Sequence, residues 1–231
     1  MDTNKGLKMK AVVISDTHRY HRQLKKLPEG DLLIHCGDIT DVGEEYQFDD
    51  FLDWFKSQKQ FQYKLFIAGN HDFCFETNNR YYASVMKNIK YYQKKDKNLH
   101  YLFNNTIEIE GIKFYGSPYT KWFHNWAFNV KPEHLESCWS QIPDDTQVLI
   151  THGPCFEILD QNVAGEYCGD SFLYDRVMSI PSIKYHMFGH IHTHFTETQV
   201  IEKNGKTFIN ASVLNENYLM TNPPVVIDLN F

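Results

Sequence analysis

KAVVISDTH, residues 10–18, is the stretch that decides the fold. Its apolar run, Ala11 to Ile14, gives way to Ser15, Asp16, Thr17 and His18 without any helical period. A short apolar run bounded by polar residues reads as a buried strand whose C-terminal end opens into a loop. The same form recurs in DLLIHCGD (31–38), KLFIAGNHD (64–72), QVLITHG (147–153) and IKYHMFGH (183–190).

Helical spacing fills the intervals. Residues 44–58 place Phe48, Phe51, Leu52 and Phe55 on one face, and the segment before Tyr91 does the same with Tyr82, Val85, Met86 and Ile89. Pro132 stands where a helix can begin, and Asp170 is placed to cap the segment SFLYDRVM. Later stretches read as hairpins. Residues 106–116 turn at Glu110-Gly111, residues 198–212 turn at Asn204-Gly205, and VVIDL (225–229) closes the chain as a strand. Strand–helix alternation early and hairpins late predict an α/β sandwich with a mixed sheet in each inner layer. Residues 1–8, MDTNKGLK, read as an extension, and residues 9–231 as a single domain without repeats or linker.

Composition narrows the function classes. The 231 residues are 42% hydrophobic and 15% aromatic, enough for a sizeable core. A net charge of −6 argues against binding long nucleic acid through its backbone. Bound cations would reverse that charge locally, so an anionic substrate remains compatible. Five cysteines without a CxxC pair fit a reducing, cytoplasmic setting. No apolar run approaches membrane-spanning length, so no membrane partner is expected. Oligomeric state leaves no trace in the sequence.

The chemistry collects where the buried strands end. Asp16-Thr17-His18 comes first, then Gly37-Asp38 through Asp41, then Gly69-Asn70-His71-Asp72, Thr151-His152-Gly153 and Gly189-His190-Ile191-His192. Ligands of α/β sheets bind beyond the carboxyl ends of strands, so five separate ends can serve one place. Carboxylate, imidazole and amide oxygen suit divalent metal ions. Each motif alone has an ordinary explanation as a turn, a cap or a packed histidine. Five in order, each closing an expected strand, do not.

In that order, D-x-H, GDxxD, GNHD, THG and GHxH resemble the calcineurin-like metallophosphoesterases. GSPYTKWFHNWAFN (116–129), THGP (151–154), FINAS (208–212) and NPPVVIDL (222–229) resemble, more narrowly, the metallophosphoesterase-domain-containing phosphodiesterases. The resemblance implies a four-layer α-β-β-α sandwich and two divalent transition metal ions. Manganese is favoured; iron, zinc, cobalt and nickel are compatible. Carried over by position, Asp16, His18 and His192 would hold one ion, Asn70, His152 and His190 the other, and Asp38 would bridge them. Asp41 would support its loop. His71 would protonate the leaving group, with Asp72 orienting its imidazole.

The expected reaction is attack of a metal-bridging hydroxide on phosphorus. The expected substrate is a small phosphodiester, nucleotides among the candidates. A phosphomonoesterase or nucleotidase is the alternative, and a non-catalytic metal- or nucleotide-binding scaffold a more distant one. A serine/threonine protein phosphatase would carry an arginine where this chain reads Asp41-Val42-Gly43. Trp122 and His124, in an aromatic run from Tyr119 to Phe128, are candidate substrate contacts. Of the four histidines in HMFGHIHTHF (186–195), His190 and His192 are expected to be ligands. His186 is expected to be structural. His194 is left between a supporting and an exposed role, and so is His21.

Overall fold

The computed structural model describes residues 8–193 and 199–231. Among them the strands are β1 (Lys8–Ile14), β2 (Leu32–His35), β3 (Tyr63–Phe66), β4 (Leu99–Tyr101), β5 (Asn105–Ile109), β6 (Ile112–Ser117), β7 (Thr120–Lys121), β8 (Asn129–Val130), β9 (Val148–Thr151), β10 (Tyr185–Phe188), β11 (Val200–Lys203), β12 (Lys206–Asn210) and β13 (Val225–Asn230). The α-helices are α1 (Glu45–Ser57), α2 (Tyr82–Lys95), α3 (Pro132–Trp139) and α4 (Ser171–Ser179). The first sheet runs β13-β1-β2-β3-β4, and the second β11-β12-β10-β9-β6-β5. Both are mixed: β13 is antiparallel to β1, and β11 and β5 are antiparallel edges on parallel neighbours.

Three apolar cores separate four layers, α-β-β-α. In the first, Phe48, Phe51, Leu52 and Phe55 of α1 and Val85 and Ile89 of α2 pack on Val12, Leu33 and Phe66 of the first sheet. The middle core joins the sheets through Ala11, Val13, Ile34 and Leu65 against Phe114, Val148, Ile150, Met187 and Ile209. In the third, Leu135, Trp139, Leu173 and Val177 of α3 and α4 cover Leu149, Phe188 and Phe208. Alternate residues of β1 thus face different cores, and for that reason the run has no polar face. Each buried phenylalanine contributes ~1.5–3 kcal/mol, so the aromatic stripe of α1 holds that helix to its sheet.

Local signals set the boundaries. Pro132 occupies the first turn of α3. The Asp170 carboxylate accepts from the backbone N–H groups of Phe172 and Leu173, at 2.8 and 3.3 Å, and caps α4. Glu110 and Gly111 both have positive φ, 50° and 78°, as do Asn204 and Gly205, 54° and 72°; each pair closes a two-residue hairpin. The short strands β4, β7 and β8 carry no signal of this kind. At the carboxyl ends of β1 and β12 the two sheets are stitched together. Ser15 bridges to Ser212, and the Val213 N–H donates to the Ser15 carbonyl at 3.1 Å.

Candidate active site

The loops after β1, β2, β3, β9 and β10 meet at that stitched end. Asp16 follows β1, and its two carboxylate oxygens accept from the His190 N–H after β10, each at 3.0 Å. One of them lies 3.1 Å from His192 Nε2. His192 Nε2 is in turn 3.4 Å from His18 Nε2. The ligand atoms of Asp16, His18, Asp38 and His192 all lie within 4.8 Å of one another.

A second group lies across Asp38. Asp38 Oδ2 is 3.6 Å from His18 Nε2 on one side and 3.3 Å from His152 Nε2 on the other. His152 Nε2 is 2.9 Å from Asn70 Oδ1, and its ring centroid is 5.1 Å from that of His190. The other carboxylate oxygen of Asp38 accepts from the His71 N–H at 2.8 Å. Asp16, His18, Asp38, Asn70 and His152 are buried, while His71, His190 and His192 face a cleft.

The backbone is shaped around this point. Asp16, His18, Asp38 and His190 all have positive φ, at 55°, 38°, 55° and 69°. Left-handed conformations in four non-glycine residues are unfavourable and persist where the surroundings fix them. Glycine appears where a side chain would intrude. A Cβ on Gly189 would collide with the Asp16 carboxylate, and one on Gly69 with that of Asp38. That is the physical content of the G in GHxH and GNHD.

Charge at the site is unevenly shared. Burial raises the pKa of Asp16, but the hydrogen bond to His192 and the charges of His192 and His152 overcome it and hold the group low. Asp38 is likewise held low against its burial, chiefly by His152 and His71. Burial opposes protonation of His152, yet Asp38 pulls it up to about 9. His192 is raised in the same way by Asp16, again against burial. Burial drives His18 and His190 down to about 4. Two carboxylates held in their ionised form thus make a buried place that favours positive charge.

A calcineurin-like phosphoesterase family pattern matches residues 9–194. The chain belongs to that family. This phosphoesterase is 34% identical to human metallophosphoesterase domain-containing protein 1, over 94% of this chain and 70% of the relative. It is 32% identical to a UPF0046 protein of Caenorhabditis elegans, over 94% of this chain and 74% of that one. Its fold is similar to that of a phosphopantetheinyl hydrolase from Mycobacterium tuberculosis. That match has a TM-score of 0.60 and 13% identity and covers 94% of this chain and 95% of the other. The chemistry of the family is metal-dependent hydrolysis of phosphoesters.

Divalent cations fit the site of this phosphoesterase. Its donors are carboxylate, imidazole and amide oxygen, with no thiol among them, as transition metal ions with mixed oxygen and nitrogen preference require. A buried place that favours positive charge suits a cation, whose binding to imidazole ligands releases any protons they carry.

The sequence placed Asp72 beside the His71 imidazole, and the structure corrects this. The Asp72 carboxylate accepts from the N–H groups of Gly69, Ile39 and Thr40 and from the Thr40 hydroxyl, at 2.7–3.1 Å. It ties the GDxxD and GNHD loops together. Burial, with Asp38 nearby, pushes its pKa up to about 6 despite those bonds. His71 Nδ1 instead donates to the Asp41 carbonyl at 2.7 Å, and its ring stacks on Trp126 with centroids 4.1 Å apart. The Asp41 carboxylate pairs with Arg19 at 3.0 Å.

Two clefts adjoin the site. One of about 410 Å³ is lined by Asp38, Asn70, His71, Phe123, Trp126 and Tyr218, among others; another of about 470 Å³ has Trp122, Phe123 and Tyr167 beside His190 and His192. Trp122 lines the second of these clefts. His124 lines neither and is exposed, its carbonyl accepting from Asn129. Phe123 and Trp126, from the same aromatic run, also line these clefts; Tyr167 and Tyr218 are the aromatic groups that sequence reasoning missed. His21 is buried, 3.0 Å from Asp50 of α1, and anchors the turn after His18. His186 is buried in β10. His194 lies outside the described residues. Among the described residues no helix is long and apolar enough to cross a membrane, and all five cysteines are free.

Proposed function

We propose that this chain is a phosphodiesterase that uses two divalent cations, manganese favoured, to hydrolyse small phosphodiesters, nucleotides among them. One observation carries the reading: a single carboxylate, Asp38, lies within 3.6 Å of an imidazole from each of two ligand groups. Asp16, His18 and His192 would hold one ion, Asn70, His152 and His190 the other, and Asp38 both. Bound there, such ions supply Lewis acidity, neutralising phosphoryl charge and making water acidic enough to attack phosphorus.

The protein's own groups do the rest. His71 keeps its Nδ1 proton on the Asp41 carbonyl, which leaves Nε2 to carry the proton given to the leaving oxygen. Trp126 covers one face of that ring and fixes its plane. Asp72 holds the two loops that bring His71 and Asp38 together. None of the lining residues described for the cleft at Asp38 and His71 is a lysine or arginine, while three are aromatic. A diester with one charge and a second organic group suits such walls better than the dianionic end of a monoester. We read residues 9–231 as one catalytic domain, and the free thiols support a reducing, cytoplasmic setting.

The test compares kcat/KM for bis-p-nitrophenyl phosphate and p-nitrophenyl phosphate after chelation and reloading with Mn²⁺. Preference for the diester supports the proposal. A clear monoester preference overturns its substrate class, and full activity in verified metal-free protein overturns the metal requirement.

A further inference from the structure

Two buried histidines outside the ligand set repeat one arrangement, once in each sheet. His35 ends β2, and His186 lies in β10; both are fully buried. His35 Nε2 is 3.0 Å from the hydroxyl of Thr17, beyond the end of the neighbouring parallel strand β1. His186 Nε2 is 2.7 Å from the hydroxyl of Thr151, at the end of the neighbouring parallel strand β9. Thr17 stands between Asp16 and His18, and Thr151 immediately precedes His152.

Hydrogen-bond logic fixes the direction of both contacts. The Gly37 N–H donates to His35 Nδ1 at 3.2 Å, so that nitrogen carries no proton and Nε2–H donates to Thr17. The Thr151 hydroxyl donates to the Gly153 carbonyl at 2.6 Å, so it accepts from His186 Nε2–H. His186 Nδ1 then faces the Cys155 thiol at 3.5 Å. The same tautomer results on both sides, by different partners.

We infer that His35–Thr17 and His186–Thr151 are paired positioning clamps, each setting the ligand residues of one of the two cation positions. The inference rests on the metal-dependent reading above and goes beyond it by dividing the support between the two positions. A clamp has work to do because Asp16 and His18 flank Thr17 in left-handed conformations, which cost energy in any non-glycine residue and persist where the surroundings fix them. Each clamp also spans two adjacent parallel strands that both deliver site residues: Asp16, His18 and Asp38 in one sheet, His152 and His190 in the other. Polar partners of this kind typically alter metal affinity by about 10–100-fold when removed.

The experiment uses Thr17→Val and Thr151→Val, which keep the shape and delete the hydroxyl, with Thr17→Ser and Thr151→Ser as conservative controls. Mn²⁺ stoichiometry and affinity are measured by titration, and thermal unfolding with and without metal is measured alongside. Wild type should bind two ions. Each valine variant should weaken one of the two by about 10–100-fold and lose part of the metal-dependent rise in Tm, and serine should restore both. His190→Ala and His192→Ala locate the effect. Thr17→Val should weaken the ion remaining in His190→Ala and add nothing to His192→Ala; Thr151→Val should do the reverse. Valine variants that only lower the Tm of both forms equally, with two ions bound at wild-type affinity, would overturn the clamp. A wild-type protein that binds no cation would overturn the metal-dependent reading itself.

Discussion

The floor of the site and its rim are built by different rules. The floor is Asp16, His18, Asp38, Asn70 and His152, all buried and cross-bonded between loops that leave central strands. The rim is Trp122, Phe123, Tyr167 and Tyr218, each at least 44% exposed and carried on connections between elements. The floor tolerates strained backbone because packing fixes it; the rim presents faces to solvent. On the function proposed above, phosphorus chemistry would belong to the first region and choice of the esterified group to the second.

That division breaks most visibly at Asp38. Asp38→Ala should abolish turnover of every phosphoester, because it would take away the ligand proposed to be shared by both ions and several kcal/mol of transition-state stabilisation, about 10⁴-fold or more. Measured kcat/KM on a diester and a monoester should fall together. A variant that loses one substrate and keeps the other would place substrate choice in the floor.

His71 stands on the border, its backbone in the floor and its ring against Trp126. His71→Ala should cost about 10²–10⁴-fold on a nucleotide diester with an alkoxide leaving group, and distinctly less on bis-p-nitrophenyl phosphate, whose leaving group needs no proton. Metal content must match wild type. Equal losses on both substrates would move His71 from proton transfer to positioning. Asp72→Asn should not mimic this pattern, since Asp72 binds loop backbone and not the imidazole.

Acid sharpens the comparison through stability. Burial depresses the pKa of His35 and His186 to about 3. Their folded pKa lies below the unfolded value of about 6.5, so their contribution is complete above pH 6.5 and lost as pH falls towards 3. Each imidazole should cost up to about 1.4 kcal/mol per pH unit across that window. Thermal unfolding of metal-free protein from pH 7 to 4 should show a steadily falling Tm. A flat profile would mean that these rings charge freely and are not sealed in the cores.

The smallest effects belong to the rim. Trp122→Ala should raise KM for aryl diesters about 2–10-fold, the worth of one aromatic contact, and leave kcat unchanged. His124→Ala should change neither parameter by more than about twofold, because its ring lines neither cleft. A larger effect at His124 than at Trp122 would reverse their placement.

The floor was legible because each of its residues closes an apolar run, so strand ends could be read in order and the metal-ligand types recognised together. The hairpins at Glu110-Gly111 and Asn204-Gly205 were legible because Gly111, Gly205 and Asn204 are the residue types that positive φ favours. The rim was not. Trp126 meets His71, and Tyr218 lies about 5 Å from both His18 and His192, across long separations that no local period encodes. Asp72 was misplaced because adjacency in sequence was read as contact: its carboxylate turns back to the Gly37–Asp41 loop while the His71 ring goes to the Asp41 carbonyl.

The contact between Asp16 and His190 joins positions 174 residues apart. A chain must close most of its length before that pair exists, and loop closure on this scale, with parallel strand pairing, makes folding slow. The cation position proposed at Asp16 would therefore be complete only after the second sheet has docked on the first. A cation that recognises the closed arrangement arrives too late to hasten assembly. On the proposed reading its kinetic role would be that of a brake, slowing escape from the native state and leaving the rate of reaching it unchanged.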